Sequence, residues 1–583
     1  MRDRDLQFAS AGALEFSICK KDDGSEPIRR PTDTASALPT SPTPVATLLK
    51  SRTPRQHFST NSATQQQELK ANVLLKRFAA SRAAKAQDRY RPFYHFSAPE
   101  NGLNDPNGLC FWQGNWHLFY QGYPDEGRVH WGHAVSSDLV HWRDLPYAIY
   151  PDTEENCFSG SCFVEPDRVI AAYYGHQGQA GLMVAVSSDP LLLNWESVTG
   201  QAVIPNIDYD EFGRPHQIYD PCIWKDGEFY YVLCGGWADG INPLAEPHAH
   251  NKVGAEGATP GRMVDHLHRS PDLEQWVYMG QFMENDLFGF SGDDGSCPYF
   301  WPIGSESGGD ERHILLTYSH VHSAMYVVGD YDRARQRFVA RRGGNLNTGR
   351  SGGGSIHAPS ACPDGKGGVN CIYNVTEGRP QQGWSQIMSL PRRYILGQDD
   401  RLLISPAGDV ESLRGAAVEL RDVELPVNEE IVLDEVRGNA MEIRASIDPG
   451  EARFIRINVL RAPDKSEYTA INFHRDSGKD FNNRSWSVRD SIVTIDPTYS
   501  TTAGDAEINV PQSCSFFLAK GELLDLRIFV DRSIVEVFVN GHSACLTRVY
   551  PAGTDSIGFS MEARGRAAVC KKLERWSMER IFL

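Results

Sequence analysis

SSDLVHW at residues 136–142 returns as SSDPLLLNW at 187–195 and as SPDLEQW at 270–276. Each copy follows a strand-like run, turns on an Asp and ends in Trp. A fixed phrase returning after about 50 and then about 80 residues is the mark of a repeated supersecondary unit, here successive four-stranded blades. The surrounding segments have the same texture. LCFWQGNWHLFYQG, CFVEPDRVIAAYYG, GLMVAVSSD, IYDPCIWKDGEFYYVLCGG, RHILLTYSH, SAMYVVGDYD and GVNCIYNV are runs rich in β-branched and aromatic residues. DG, GN and DP turn signals separate them, and no long helical periodicity interrupts them. The class is all-β, and the repeat favours a propeller over a sandwich or barrel.

The pattern changes further along. PAGDVESLRGAAVELRDVELP, around 406–425, reads as a short helix-like link. Beyond it MEIRASI, RFIRINVL, LLDLRIFVD, SIVEVFVNG and ACLTRVY alternate regularly, one face in and one face out, as in a two-sheet sandwich. Asn540-Gly541 is a hairpin turn signal. The expected organisation is therefore a tail over 1–89, a propeller over 90–405, a linker over 406–425 and a β-sandwich over 426–583.

Residues 1–89 differ in composition, with 15 Lys/Arg against 9 Asp/Glu in a chain whose net charge is −17. PTDTASALPTSPTP reads as disordered linker. Leu69, Val73, Leu74, Phe78 and Ala79 then fall at helical spacing, so a short helix is expected within 66–90. The first residues, MRDRDLQFASAGALEF, contain no uninterrupted apolar core of a secretory signal. An intracellular location is expected, with organelle targeting by this tail or a non-standard secretion route as alternatives. The 12 cysteines are scattered without a CxxC pair, which reads as reduced core cysteine and not as a zinc ribbon or redox motif. The acidic balance argues against a nucleic-acid partner, and no run of 18 apolar residues is present to span a membrane as a helix. Hydrophobic residues at 40% and charged residues at 23% exclude wholesale disorder.

Three acidic segments could carry chemistry. In Asn104-Asp105-Pro106-Asn107-Gly108, an Asp sits between two Asn on a backbone fixed by Pro. Such neighbours can hydrogen-bond a carboxylate and hold it ionised, as a nucleophile requires. Tyr219-Asp220-Pro221 begins a strand with its Asp held out of helix. Asp293-Asp294-Gly295-Ser296-Cys297-Pro298 places an acidic pair before another strand. Mutual repulsion in such a pair raises one pKa, as a general acid needs. Taken singly, each segment reads first as an ordinary turn or a solvated loop.

Together these segments resemble glycoside hydrolase family 32, the invertase, inulinase and levanase group. NDPNG looks like that family's nucleophile motif. HWGHAVSSDLVHW (130–142), CFSGSCF (157–163), SLPRRYIL (389–396) and LRIFVDRSIVEVFVNG (526–541) are similar to further family elements, in the family's order. The resemblance covers roughly residues 92–583. It implies a five-bladed β-propeller followed by a C-terminal β-sandwich, with the site in the propeller's central funnel. It also implies a retaining double displacement on a fructosyl unit by two carboxyl groups ~5–5.5 Å apart. Asp105 matches the nucleophile. Asp220 matches the Asp of an Arg-Asp-Pro motif that holds fructose hydroxyls and steadies the transition state. Trp131, Phe158 and Ser159 match the lining of the fructose pocket, with Asn104 and Gln121 as polar contacts.

Two departures stand out. The Arg of Arg-Asp-Pro is Tyr219 here, and the Glu of the family's Glu-Cys-Pro acid/base motif is Ser296, followed by Cys297 and Pro298. A serine hydroxyl has no acidic proton near neutrality, and losing a general acid costs roughly 10²–10⁴-fold in rate. Asp294 shares a strand face with Ser296 and is the first candidate for a displaced acid, with Asp293 the second. Tyr219, Ser296 and Cys297 remain expected substrate contacts.

The alternative function is a catalytically impaired carbohydrate-binding or regulatory homologue. The chemistry requires no metal and no organic cofactor, and the partner expected is a small fructoside. EPHAHNKVG (246–254) reads as a surface loop and not a metal cluster. RSGGGSIHAPS (350–360) lacks the Gly-Lys-Ser/Thr of a phosphate loop. Trp384 is assigned equally to the funnel rim or to the core.

Overall fold

The computed structural model describes residues 53–206, 218–236 and 265–582, except 287, 290–292, 307, 309–310, 321, 381, 478–489 and 508, and only the backbone of 399. The His-rich 246–254 stretch and most of residues 1–89 lie outside the described residues.

Among the described residues, five largely antiparallel sheets come first in the chain. Their innermost strands are Asn101–Trp112, Glu154–Val164, Ile218–Asp226, Ser296–Ile303 and Ile356–Pro363. Each innermost strand packs on the next, and the fifth packs on the first, which closes a ring of five blades. Closure is reinforced where Trp384–Ser385, late in the chain, pairs in parallel with Asn101–Gly102 of the first blade.

The repeated Asp…Trp phrase is the hairpin between the third and fourth strands of a blade. Asp138, Asp189 and Asp272 each accept backbone N–H groups two to five residues ahead. The following Leu139, Leu192 and Leu273 take positive φ, at 67°, 52° and 72°. The Trp indole then donates to that same Leu carbonyl, at 3.1, 2.8 and 3.0 Å. An Asx-type turn with a Leu in the left-handed region leaves one carbonyl pointing inward, and the Trp satisfies it. The fourth blade keeps the Asp turn at Asp332 but has no Trp there.

Residues 53–89 require a correction to the expected tail. Ser62–Ala71 and Val73–Lys85 form two helices, capped by Asn61 and Asn72. Leu69 packs with Val135, Leu145, Leu191 and Leu193, and Phe78 packs with Tyr147 and Tyr150. Gln65 donates to Asp189 at 2.7 Å, and Arg82 grips Asp144 through Nε and Nη2 at 2.6 and 2.7 Å. The helices thus cover the hairpins of the first two blades. Their apolar faces are short, so they are stabilised by the blade surface and not by their own propensity.

The expected linker at 406–425 is also corrected. Val410–Leu413 is a single 3₁₀ turn, and Arg414–Leu425 is a strand paired along the final strand, Ala568–Met578. The sandwich consists of two six-stranded sheets.

Ile534–Val539 departs from a one-face-in reading, because every residue of it is buried. Val535, Val537 and Val539 enter the sandwich core. Ile534 and Phe538 join the propeller core, and Glu536 faces the propeller between them. Glu536 accepts from Arg392 Nε at 2.9 Å and from the backbone N–H of Leu390 at 3.1 Å. Asp531 accepts the backbone N–H groups of Phe93, Tyr94 and His95 at 2.7, 2.8 and 2.9 Å, and the His95 ring at 2.9 Å. The other ring nitrogen of His95 lies 3.4 Å from Glu536. A strand buried on both faces loses the simple alternation that marks a solvated one.

Candidate active site

All five innermost strands carry a β-bulge at the same place. One extra residue enters between Leu103 and Pro106, between Cys157 and Gly160, between Tyr219 and Cys222, between Ser296 and Tyr299, and between Ile356 and Pro359. A bulge leaves residues out of the ladder and re-aims them, here towards the axis of the ring. The first bulged residue of each strand is Asn104, Phe158, Asp220, Cys297 or His357, and all five line one cavity of about 430 Å³. Asp220 and Cys297 hold positive φ, 50° and 49°, a conformation that costs non-glycine residues about 1–3 kcal/mol and gathers at functional sites. Gly108 follows at φ 50°. A Cβ there would meet Cys162 Sγ at 2.6 Å, so the Gly of NDPNG is sterically required.

Asp105 stands on the cavity wall, 7% exposed. Its Oδ2 accepts from Ser159 Oγ at 2.5 Å and from Gln121 Nε2 at 3.1 Å, and its Oδ1 accepts from His357 Nδ1 at 3.0 Å. Burial pushes its pKa up, but the His357 contact, its charge and the Ser159 hydroxyl outweigh burial and hold the carboxyl below its usual range. Asn104 lies beside it, donating to Gln121 and accepting from Asn374.

Asp220 shares the Cys297 thiol with Asp105. Cys297 Sγ lies 3.5 Å from Asp220 Oδ2 and 3.8 Å from Asp105 Oδ2. The Cys297 backbone N–H also reaches Asp220, at 3.3 Å. Burial first, and then the charge of Asp105, push the Asp220 carboxyl up to about 7. Two neighbouring carboxyls with pKa values driven apart are a pair suited to different roles.

The remaining expected residues divide. Phe158, Tyr219, Ser296 and Cys297 line the cavity with Asn104 and Gln121. Ser159 lies behind Asp105 as its hydroxyl donor. Trp131 does not line the cavity. It is fully buried under the wall, and its indole donates to Phe158 O at 2.9 Å. Tyr219 is tied down by its hydroxyl, which donates to the backbone carbonyl of Asp294 at 2.7 Å. Neither acidic candidate reaches the cavity. Asp294 accepts from Ser296 Oγ at 3.0 Å and from the ring and backbone of His320. Asp293 bonds His322 Nδ1 at 2.6 Å. Trp384 is core, 4% exposed, with its indole donating to Asp88.

The histidines were missed from sequence. His320 and His357 line the cavity, and His176 stacks on Phe158 with centroids 4.3 Å apart. The signal for His357 was its place in His357-Ala358-Pro359, an X-X-Pro phrase opening a strand as Asn104-Asp105-Pro106 does.

Residues 95–242 and 252–406 match the glycosyl hydrolases family 32 N-terminal domain, and 409–577 match the family's C-terminal domain. The chain belongs to glycosyl hydrolase family 32. Within this family it is 26% identical over 550 residues to a levanase of Bacillus subtilis, covering 88% of this chain and 74% of that protein. It is 27% identical over 533 residues to the vacuolar acid β-fructofuranosidase 4 of Arabidopsis thaliana, covering 79% and 74%. The crystal structure of fructan 1-exohydrolase IIa from Cichorium intybus superposes with a TM-score of 0.70 at 22% identity, over 85% of this chain and 98% of that one. The fold is thus the family's five-bladed propeller with a C-terminal β-sandwich.

Proposed function

We propose that the protein cleaves or transfers β-fructofuranosyl units by a retaining double displacement. The observation that carries this reading is the setting of Asp105, a buried carboxylate on the cavity wall that accepts from Ser159, Gln121 and His357. Three donors hold it ionised and oriented, as a nucleophile must be. In this reading Asp105 attacks the anomeric carbon to form a fructosyl–enzyme ester. Water or a sugar hydroxyl then displaces it. Asp220, across the Cys297 thiol, holds substrate hydroxyls and steadies the positive charge that develops on the fructosyl ring. Asn104 and Gln121 supply polar contacts, and the ring of Phe158 forms part of the wall. The names of the curated relatives, a levanase and an acid β-fructofuranosidase, support a fructoside as the substrate class.

A second reading, a sugar-binding homologue without turnover, draws on Ser296 in the place of the expected acid. One experiment separates the two. Fructose release is measured from sucrose, inulin oligomers, levan oligomers and difructose anhydrides, beside an Asp105→Asn control. Release that is abolished in the control supports the enzyme. Binding without release by a folded protein supports the homologue.

A further inference from the structure

We propose that His320, oriented by Asp294, is the general acid and base that Ser296 leaves missing. This rests on the fructosidase reading above and names the proton donor of the same site.

Geometry carries the argument. Ser296 spends its hydroxyl on Asp294 Oδ2, at 3.0 Å. Asp294 is fully buried and lies off the cavity wall, so its carboxylate cannot touch a bound sugar. It binds instead the ring Nδ1 of His320, and its other oxygen accepts the His320 backbone N–H at 3.1 Å. These two bonds fix both the tautomer and the direction of the ring. The ring is on the cavity wall, its side chain 28% exposed. Its centroid lies 5.4 Å from that of His357, which holds Asp105. The donor is therefore one imidazole away from the nucleophile. The acidic residue two positions before Ser296 thus enters the chemistry by relay and not by contact.

The groups facing His320 favour its charged form. They are Asp294, Asp105 and Asp220, with the Tyr318 and His357 rings on its flanks. Burial disfavours the imidazolium, but Asp294 foremost, then Asp105 and Asp220, push it up to about 9. It therefore has a proton to give at neutral pH. Asp220 is the competitor. Burial and the Asp105 charge push its carboxyl up to about 7, but its Oδ2 is already engaged by the Cys297 backbone N–H at 3.3 Å and the Cys297 thiol at 3.5 Å.

An Asp105 oxygen forms a bond to the anomeric carbon while the glycosidic C–O bond breaks. The leaving oxygen takes the Nε2 proton of His320, which becomes neutral with its Nδ1 proton still shared with Asp294. In the second half, His320 Nε2 takes a proton from water or an acceptor hydroxyl as that oxygen attacks the anomeric carbon, and Asp105 leaves as carboxylate.

The test compares sucrose, or the best-cleaved fructan oligomer, with β-D-fructofuranosyl fluoride, which leaves without a proton. His320→Gln is expected to lower kcat/KM on the sugar leaving group by roughly 10²–10⁴-fold and on the fluoride by no more than roughly tenfold. The wild-type enzyme, which needs no variant to fold, is expected to lose activity through an alkaline limb near 9 on the sugar and to lack that limb on the fluoride. Asp294→Asn is expected to move the limb to lower pH. Equal losses on both substrates, an unmoved limb, or a leaving-group-dependent loss in Asp220→Asn with none in His320→Gln would overturn the assignment, while Asp105→Asn inactivity on both substrates keeps the fructosidase reading. A wild-type enzyme inactive on both would overturn the two together.

Discussion

Asp105 Oδ1 and His357 Nδ1 lie 3.0 Å apart although 252 residues separate them in the chain. One belongs to the first blade and the other to the fifth, so the bond spans the seam where the ring closes. The His357 contact helps to hold Asp105 ionised. Replacing His357 by Gln is therefore expected to raise the Asp105 pKa and move the acid limb of the kcat/KM profile to higher pH. A limb that stays in place would show that Ser159 and Gln121 suffice.

Asp220 titrates in the working range, at about 7, because burial and the Asp105 charge both disfavour its anion. If its charge steadies the transition state, activity rises with pH through about 7. Asp220→Asn should remove that inflection and lower kcat by about 10²–10³-fold, the usual loss for one preorganised electrostatic contact. An inflection that survives the substitution belongs to another group.

The contact between the two domains depends on buried charge. Burial works against the imidazolium of His95, but its bonds to Asp531 and Glu536 raise its pKa overall. Burial likewise opposes the Glu536 anion, yet the Arg392 charge foremost and the His95 contact lower its pKa. The His95 contribution is complete below the imidazole's unfolded pKa and is lost as pH rises through the raised folded value. The Glu536 contribution is present above the carboxyl's unfolded pKa and is lost as pH falls through the lowered folded value. Asp531→Ala leaves a buried histidine and three backbone N–H groups without this partner, and is expected to cost about 3–5 kcal/mol. Denaturant unfolding at neutral pH checks the cost. Repeating it at alkaline pH should show a smaller deficit.

The repeated Asp is not equally important in each blade. Asp189 is 3% exposed and accepts from Leu193, Asn194 and the helical Gln65. Among the described residues, Asp272 serves only its own exposed turn. Asp189→Ala should lower Tm clearly, by the equivalent of about 1–3 kcal/mol for buried donors left unmade. Asp272→Ala should shift it much less. Equal shifts would mean that the helical contact adds nothing.

The propeller was legible because its hairpin is written in residues with strict local roles: an Asp for the turn, a Leu tolerating positive φ, a Trp for the stranded carbonyl. Asp105 and Asp220 were legible for a similar reason, since a Pro beside a bulged carboxylate leaves a short fixed phrase. His320 was not, because nothing local marks a histidine that joins the cavity only when distant blades meet, and His357 carries only the faint mark of its X-X-Pro phrase. Ser296 directs attention to Asp294 in sequence, but the Asp294 side chain turns from the cavity to His320. The strand Arg414–Leu425 was hidden because most of it is solvent-exposed, with five charged residues among its twelve and few buried apolar ones to read. The helices at 62–85 were blurred by a polar composition, since the blade surface supplies their stability.

The Asp531 clamp has a consequence for the order in which this protein is made. Its carboxylate grips the backbone of residues 93–95, just ahead of the first blade, yet it follows His95 by 436 residues. At about 5–20 residues per second, the ribosome supplies that partner roughly 20–90 s after His95. Residues 93–95 leave the ribosome early but gain this carboxylate anchor only when synthesis is nearly complete. A nascent chain halted before Asp531 should therefore hold a ring of blades whose leading segment, residues 93–95, is still loosely set.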